Sequence, residues 1–443
     1  MLFTSLLKKY LRLPNFVQNV SFVFFTQAIV FCAGGLSNII LARWLGPEGK
    51  GIVYLTILVP WILFTFTSLG ITISNIYFTG KKKYSSSEIV SNSLFIALLL
   101  TVVVGFIYFA LLPFLSESLL RNVDVRFLKL TFFIFPIILI TAYLSGVPQG
   151  LQRIKEVFSI DILKTLIKLG FLLLLVVFLK MRIGGAIAAI IISFVAGLLL
   201  AIFLVLRITP IGIQTNFKII KALVGFGLKS QSGTVVQFLN YRFDMFLVNL
   251  FLTPASVGIY SISVLIAELI WYIPSAFSQV LFPKIADSDI KTANRFTPQV
   301  CRSTLFITVC LAGVLFFISK PLILFFFGKR FLPSLVPLQI LLPGIVAFSV
   351  AKVISSDLVG RGKPLYVTYA AIVSFIVTII LDLLLIPRLG VPGAALASST
   401  SYTISAITLS IIYSRISGNR FLSFLYIRKD DFIRYRDLIR GMF

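Results

Sequence analysis

The sequence of 443 residues has no histidine, only three cysteines and only 15 acidic side chains. The missing histidine, and the lack of carboxylate pairs in loops at catalytic spacing, count against an enzyme. Cys32, Cys301 and Cys310 all lie in apolar runs, with no CxxC or metal-ligand spacing. We therefore expect no metal site, disulfide framework or cofactor, and interpret the cysteines as small buried residues.

Charge of either sign is also scarce, because only 12% of the residues are charged and 58% are hydrophobic. The mean hydropathy is +1.04. A water-soluble fold of this size could not hide so much apolar surface. The composition therefore predicts an all-α protein that crosses the membrane many times.

Apolar runs of about 18–25 residues are long enough to cross the hydrocarbon core as helices. The sequence contains twelve such runs, with no soluble domain between them. They cover residues 18–42, 51–75, 89–112, 127–149, 157–179, 184–206, 222–249, 256–282, 299–319, 334–359, 365–386 and 391–414.

The 40 basic and 15 acidic residues give a net charge of +25. In a membrane protein the first explanation is the enrichment of Lys and Arg in cytoplasmic loops, so nucleic acid is not expected as a partner. One set of alternate loops and the termini holds about 23 basic residues and the other set about 10. This asymmetry predicts cytoplasmic termini, with an interfacial helix at the N-terminus and an amphipathic basic tail over 421–443 on the inner membrane surface.

The stretch WLGPEGKG (44–51) has an echo in FLTPASVG (251–258), at a shift of 207 positions. At a shift of 208, QRIKEVF (152–158) aligns with GRGKPLY (360–366) and GGAIAAIIISF (184–194) with PGAALASSTSY (392–402). Three matches at nearly one spacing indicate an internal duplication. The predicted parts are an N-lobe over 1–212 with spans one to six and a C-lobe over 213–420 with spans seven to twelve.

Because each copy has six spans, both copies cross the membrane in the same sense. Parallel repeats of this kind occur in alternating-access transporters, which bind cargo between their lobes. We expect a V-shaped pair of six-helix lobes with a central cavity. A purely structural duplication is the alternative.

Charged residues within the spans have a cost at bilayer depth and usually face protein or a wet cavity. Structural ion pairs, such as Asp161 with Lys164 or Arg242 with Asp244, are one explanation. The excess of bases in both halves instead favours a cationic cavity for an anionic cargo such as a phosphate or pyrophosphate. The residues expected to line it are Lys164, Lys168, Lys229, Arg242, Lys352, Asn240 and Gln237.

No nucleotide-binding loop supplies energy, since GPEGKG is too short for a Walker A motif and has Gly51 in place of Ser or Thr. An ion gradient or the cargo's own gradient must then drive transport. Carboxylates within the spans could carry a proton or Na⁺, although structural pairing explains them equally well. The candidates are Asp161, Asp244, Glu268 and Asp357.

The segments LARWLGPEGKGIVYL, NYRFDMFLVNLFLTPASVGIYSISVLIAEL, SAFSQVLFPKIAD and FLYIRKDD resemble the polysaccharide-transporter branch of the multidrug/oligosaccharidyl-lipid/polysaccharide exporter superfamily, which includes the Wzx-type O-antigen flippases. The resemblance implies a flippase of the cytoplasmic membrane that moves polyprenyl-pyrophosphate-linked oligosaccharide, among membrane lipids and alongside other polysaccharide assembly proteins. It also implies a cationic cavity, and it matches the family's arginine and aspartate in the seventh span to Arg242 and Asp244.

Three alternatives stay open at this point. A multidrug or cation exporter of the same superfamily would be expected to have an acid-rich cavity. A lipid II flippase typically has two further spans. A membrane glycosyltransferase or polymerase usually needs a large loop or soluble domain, and the loops here are short.

Overall fold

The computed structural model describes residues 15–210, 212, 215–286 and 289–424. The predicted N-terminal interfacial helix and most of the predicted amphipathic tail therefore lie outside the described residues. Within the described part the chain is helical. The helices are α1 Asn15–Thr67, α2 Ile71–Gly80, α3 Ser86–Glu117, α4 Val125–Phe132, α5 Ile134–Gly150, α6 Ile154–Leu172, α7 Arg182–Leu206, α8 Phe217–Phe251, α9 Pro254–Glu268, α10 Tyr272–Ala286, α11 Ile290–Phe326, α12 Leu335–Gly360, α13 Pro364–Leu389 and α14 Val391–Ser417.

Nine helical segments of the described chain are long and apolar enough to cross a membrane. Large apolar side chains on them are exposed, and Phe106 and Phe317 each keep about four-fifths of their surface open. Such side chains are expected to face lipid rather than water. The prediction of an all-α protein that crosses the membrane many times is confirmed.

The predicted number of twelve spans differs from these nine for two reasons. The segment counted first, Phe25–Thr67, covers two predicted spans, and α6 and α8 are not among the nine segments. Both α6 and α8 carry several charged residues, which lowers their hydropathy. The arrangement of twelve spans in two six-helix lobes, and the V shape, stay predictions.

The chain reverses within WLGPEGKG, between the first two predicted spans, and the interruption is much shorter than a loop. Only Gly46 leaves the helical conformation, with φ 69° and ψ −176°. Lys50 Nζ then donates to Asn38 Oδ1 at 3.0 Å, across 12 positions of sequence. An unbroken helix would separate these residues by about 18 Å, so the chain must fold back at Gly46.

The echo of this stretch, FLTPASVG, also interrupts the helical chain. Helix α8 ends at Phe251 and α9 begins at Pro254. Thr253 caps the new helix by accepting a hydrogen bond from the backbone N–H of Ser256, and Pro254 occupies the first turn, where its missing N–H costs nothing. Both echoing stretches therefore separate two helices.

The chain divides into two compact units, Met1–Gln231 and Ser232–Phe443. The predicted boundary between lobes at residue 212 stays a prediction. The division into units falls inside α8, so one helix belongs to both. An apolar core in the first unit joins α1, α5, α6 and α7, and it includes Val53, Ile134, Leu172 and Ala186.

Candidate functional site

Three lysines of the first unit form a group that we call the lysine cluster: Lys50 on α1 and Lys164 and Lys168 on α6. Lys50 is only 3% exposed, whereas the other two are half-buried. Lys168 is close enough to repel both Lys50 and Lys164 electrostatically. The two lysines predicted on α6 are thus brought together with a third from a different part of the chain.

One carboxylate accompanies the lysine cluster. Lys164 Nζ lies 2.7 Å from Asp161 Oδ1, which confirms this pair as the sequence suggested it. The same ammonium group lies 5.9 Å from the ring centroid of Phe194, and Gly197 leaves room for the stem of the lysine. Within the described residues, no carboxylate forms an ion pair with Lys50 or Lys168.

The charges of this group do not cancel. Three ammonium groups and the single carboxylate of Asp161 leave two positive charges in a partly buried setting, which favours binding of an anion. Lys229 also belongs to the first unit, but its side chain is exposed and makes no hydrogen bond or ion pair within the described residues.

In the second unit the predicted bases have acidic or aromatic neighbours. Arg242 Nη1 and Nη2 donate to Glu268 Oε1 and Oε2 at 2.8 and 3.0 Å, the two parallel bonds of a bidentate pair. Lys352 Nζ lies 4.8 Å from the ring centroid of Trp271 and is attracted electrostatically by Glu268. Glu268 therefore interacts with two cationic side chains, Arg242 and Lys352. The sequence did not suggest it as a partner for Arg242.

Beside this pair is a group of packed aromatic rings. Trp271 contacts the rings of Phe348 and Tyr402 with centroids 5.3 and 5.4 Å apart, and Tyr241 contacts Trp271 at 5.2 Å. Gln237, predicted to line the cavity, donates to the Tyr241 hydroxyl at 2.7 Å. The structure thus places Gln237 against the aromatic group.

Asp357 is held in a structural cluster. It is fully buried and forms an ion pair with Arg361 one turn away, while Thr297 of α11 donates to its Oδ2. The Arg361 guanidinium also donates to the Tyr413 hydroxyl of α14 at 3.4 Å. The cluster links three helices, and of the two interpretations of Asp357 it favours structural pairing.

Asn240 and Asp244 belong to a buried polar group in the second unit. Asn240 Nδ2 donates to Ser374 Oγ at 2.9 Å, and Thr378 Oγ1 donates to Asn240 Oδ1 at 2.8 Å. Ser401 completes this layer, with its hydroxyl 2.7 Å from that of Ser374. One helical turn further along, Asp244 accepts hydrogen bonds at both carboxylate oxygens.

Two residues that the sequence did not single out complete these groups. Lys50 lies between the first two predicted spans, and its approach to α6 depends on the fold at Gly46, which spacing alone does not reveal. Asp382 is 0% exposed and interacts electrostatically with Asp244. The sequence did contain a signal for Asp382, because it is a lone acidic residue in the apolar run VTIILDLLLIP. Charged residues at bilayer depth usually have a functional role.

The model of a family described as "Polysaccharide biosynthesis protein" matches residues 40–336, about two-thirds of the chain. The chain belongs to this family. A curated relative, the "Putative O-antigen transporter" of Shigella flexneri, is 23% identical over 85% of this chain and 92% of its own length. The "Probable low-salt glycan biosynthesis flippase Agl15" of Haloferax volcanii is 24% identical over 60% of this chain and 57% of its own length.

Solved structures of two transporter families share the fold. "Lipid II flippase MurJ, inward closed conformation" covers 96% of this chain and 93% of its own, with a TM-score of 0.75 at 17% identity. An inward-facing multidrug resistance MATE family transporter of the MOP superfamily covers 86% of this chain and 93% of its own, with a TM-score of 0.69 at 14% identity. The fold that the sequence resemblance implied is thus confirmed, and the family match agrees with the polysaccharide branch that the resemblance named.

Proposed function

We propose that this protein is a transporter that moves an oligosaccharide linked through pyrophosphate to a polyprenyl lipid across the cytoplasmic membrane, by alternating access. The family and the O-antigen and glycan relatives support a saccharide cargo. The single observation that supports an anionic group on the cargo is the lysine cluster. A pyrophosphate diester has two ionised phosphates, and the lysine cluster with Asp161 has a net charge of +2.

The distribution of charge supports different roles for the basic residues of the two units. In the second unit Arg242 and Arg361 each have a carboxylate partner, and Lys352 lies over Trp271 near Glu268. In the first unit Lys50 and Lys168 have no such partner within the described residues. We therefore assign the pyrophosphate-binding role first to Lys50, Lys164 and Lys168, and a lesser one to Arg242 and Lys352.

Transport of a pyrophosphate-linked saccharide by the purified protein would test this proposal. Proteoliposomes would contain either a polyprenyl-pyrophosphate N-acetylhexosamine lipid or a cationic dye, and its appearance on the far side would be measured. We expect the wild-type protein to move the lipid and not the dye. Movement of the dye alone would favour the multidrug exporter and overturn the proposal.

Variants of the lysine cluster would test its role in the same assay. Lys50→Gln and Lys168→Gln each remove one charge that has no carboxylate partner in the described part of the chain, and they are expected to lower lipid transport at least tenfold, equivalent to about 1.4 kcal/mol of binding or barrier. Lys81→Gln is the matched control, because it removes one positive charge from an exposed loop. Full activity of both cluster variants would remove these lysines from the site and leave the transported lipid to be recognised elsewhere.

The orientation and surroundings of the protein are part of the same proposal. The charge asymmetry of the loops supports a location in the cytoplasmic membrane with both termini in the cytoplasm. Other polysaccharide assembly proteins are expected as neighbours, because the cargo must be made on one side and used on the other.

A further inference from the structure

Four lysines at one end of the first unit form a group that we call the basic rim. Lys82 and Lys83 belong to the turn after α2, and Lys218 and Lys221 belong to the first residues of α8. All four side chains are exposed. Within the part of the chain that the structure describes, none of the four forms an ion pair with a carboxylate. The lysine cluster that binds the proposed cargo does not include them.

Helix α2 and the start of α8 pack closely and run in opposite directions. A Cβ on Gly70 would collide with the backbone of Gly227, and Ser74 donates to the carbonyl of Leu223 at 2.6 Å. From Ser74 to the last residue of α2 there are six positions, and from Leu223 back to the first residue of α8 there are also six, about 9 Å in each helix. The two pairs of lysines therefore converge at the same end of the two helices.

The segment before α8 also lies along the start of α3. Ser87 donates to the carbonyl of Pro210 at 2.9 Å, and the backbone N–H of Asn216 donates to Asn92 Oδ1 at 2.7 Å. The turn that joins α2 to α3 is thus held beside the start of α8 from both of its ends. The convergence of the basic rim is a result of packing and does not depend on the lysine side chains themselves.

Packed aromatic rings lie beside the basic rim. Tyr77 stacks on Phe226 with ring centroids 4.4 Å apart, and Phe78 contacts Phe226 at 5.7 Å and Tyr84 at 5.4 Å. Lys83 Nζ lies 5.6 Å from the ring centroids of both Phe78 and Tyr84, a distance at which a ring attracts a cation. The rings join α2, the following turn and α8, so the basic rim is built on an aromatic base.

The basic rim lies at the end of membrane-crossing segments. The candidate span Ser86–Glu117 begins directly after the turn, and the candidate span Val125–Gly150 ends beside α2, where a Cβ on Gly80 would lie 3.5 Å from the carbonyl oxygen of Gly150. Phe217, the first residue of α8, is 79% exposed. Basic and aromatic side chains together are typical of the interface between hydrocarbon and water.

The acidic residues nearby in sequence do not neutralise the basic rim. The first turn of α8 has no acidic residue. Glu88, which follows the turn, accepts hydrogen bonds from the backbone N–H and the hydroxyl of Ser85 at 2.9 and 2.8 Å, as part of the cap of α3. Enrichment of lysine on one side of a membrane explains the composition of these segments, but it does not explain their convergence on one aromatic base.

We propose that the basic rim binds the phosphate headgroup of an anionic phospholipid, with the ring of Phe217 against the acyl chains. Clusters of lysine at a membrane surface attract anionic lipids electrostatically. A phospholipid fits better than a soluble phosphate, because an exposed phenyl ring adjoins the lysines at the boundary of the hydrocarbon region. The bound lipid contacts both the turn after α2 and the start of α8, and it therefore stabilises the first unit.

Native mass spectrometry of the delipidated protein, titrated with phosphatidylglycerol or phosphatidylcholine, tests this site. We expect the wild type to prefer phosphatidylglycerol, and Lys83→Gln combined with Lys218→Gln to bind it about tenfold more weakly. Lys291→Gln combined with Lys363→Gln is the matched control, because it removes two exposed positive charges from the second unit. An equal loss in the control would overturn the site, since general attraction between charges would then explain the binding.

Two further outcomes concern the identity of the ligand. Phe217→Ala is expected to weaken phosphatidylglycerol binding, because it removes the contact with the acyl chains. Equimolar inorganic phosphate is expected to leave the lipid bound, and displacement by phosphate would overturn the lipid in favour of a soluble phosphate compound. Failure of the wild type to prefer the anionic lipid would also overturn it, and would leave an acidic protein segment as the partner of the basic rim.

Thermal unfolding provides an independent measurement. Phosphatidylglycerol is expected to raise the melting temperature of the wild type and of the control, because a ligand that binds the folded state stabilises it. It should raise that of the variant with Lys83→Gln and Lys218→Gln much less. The same rise in all three proteins would overturn the proposal. Neither measurement uses the proposed cargo, so the outcome is independent of the proposed function.

Discussion

Arg242 and Glu268 meet side by side with both guanidinium nitrogens directed at both carboxylate oxygens. The two residues come from consecutive helices, α8 and α9, and their side chains are 27% and 23% exposed. The pair ties together the two helices that flank the FLTPASVG turn. This relationship gives the first prediction.

Removal of one partner leaves the other charge half-buried without its bidentate ion pair. Arg242→Gln and Glu268→Gln are each expected to lower the free energy of unfolding by about 1–3 kcal/mol. The double variant should lose clearly less than the sum, because both charges are then absent. A double-mutant cycle in a reversible denaturant titration would measure this coupling.

The exposed pair Arg153 and Glu156 is the matched control. Its side chains are 45% and 31% exposed and the atoms lie 3.3 Å apart. A surface pair is worth about 0–1 kcal/mol, so little coupling is expected there. Equal coupling in the two pairs would contradict a special role for the Arg242–Glu268 pair.

The ion pair of Asp357 with Arg361 separates structural pairing from ion coupling. Arg361→Gln leaves a fully buried carboxylate with Thr297 as its remaining hydrogen-bond donor among the described side chains, and it is expected to cost about 3–5 kcal/mol of stability. Asp357→Asn combined with Arg361→Gln should recover most of this stability and retain transport. A double variant that folds fully but does not transport would return Asp357 to the candidates for ion coupling.

A contact could be predicted from the sequence only where its two residues lie close together along one helix. Lys164 and Asp161 lie one turn apart on α6, so helical periodicity alone predicted their pairing. Glu268 reaches Arg242 from another helix, and Lys50 reaches Asn38 only because the chain folds back at Gly46. Contacts between helices depend on tertiary packing, which local sequence does not encode.

The helices themselves were the most predictable part. Each predicted span overlaps a helical segment, because a backbone in lipid must satisfy its hydrogen bonds internally and an apolar run of that length has no other option. Helix limits were less predictable. The π-helical turn at Leu173–Phe178 and the position of the break at Gly46 reflect local packing and backbone geometry.

Close packing of α12 against α14 gives the third prediction. A Cβ on Gly344 would collide with the backbone of Ser399, whose hydroxyl accepts a hydrogen bond from the Gly344 N–H at 3.0 Å. Gly344→Ala should therefore push the two helices apart and cost about 1–3 kcal/mol.

Gly313 on α11 provides the control for this substitution, since a Cβ there would meet nothing within 4 Å. Gly313→Ala is expected to be neutral or to stabilise by up to about 1 kcal/mol, because alanine is the better helix former. Thermal unfolding of the two variants in one detergent would compare them. A Gly344 variant as stable as the Gly313 variant would show that α12 and α14 can separate freely.

The orientation of the chain gives the fourth prediction. Lys81 and Glu117 are both exposed and lie beyond opposite ends of the apolar part of α3. In a background with all three cysteines changed to serine, Glu117→Cys should react with a membrane-impermeant maleimide in intact cells. Lys81→Cys should react only after the cells are permeabilised, and the reverse pattern would place the termini outside.

Helix α8 runs without interruption through Gln231 and Ser232, where the two compact units divide. The early residues of α8 form hydrogen bonds with other helices of the first unit. Ser74 donates to the carbonyl of Leu223 at 2.6 Å, and Gln231 Nε2 donates to the carbonyl of Thr65 at 3.0 Å. A gene split in the segment before α8 would thus deprive the first fragment of a helix that it needs to fold. A second half taken from another protein would therefore also need α8 residues that fit Ser74 and Thr65 of the first unit.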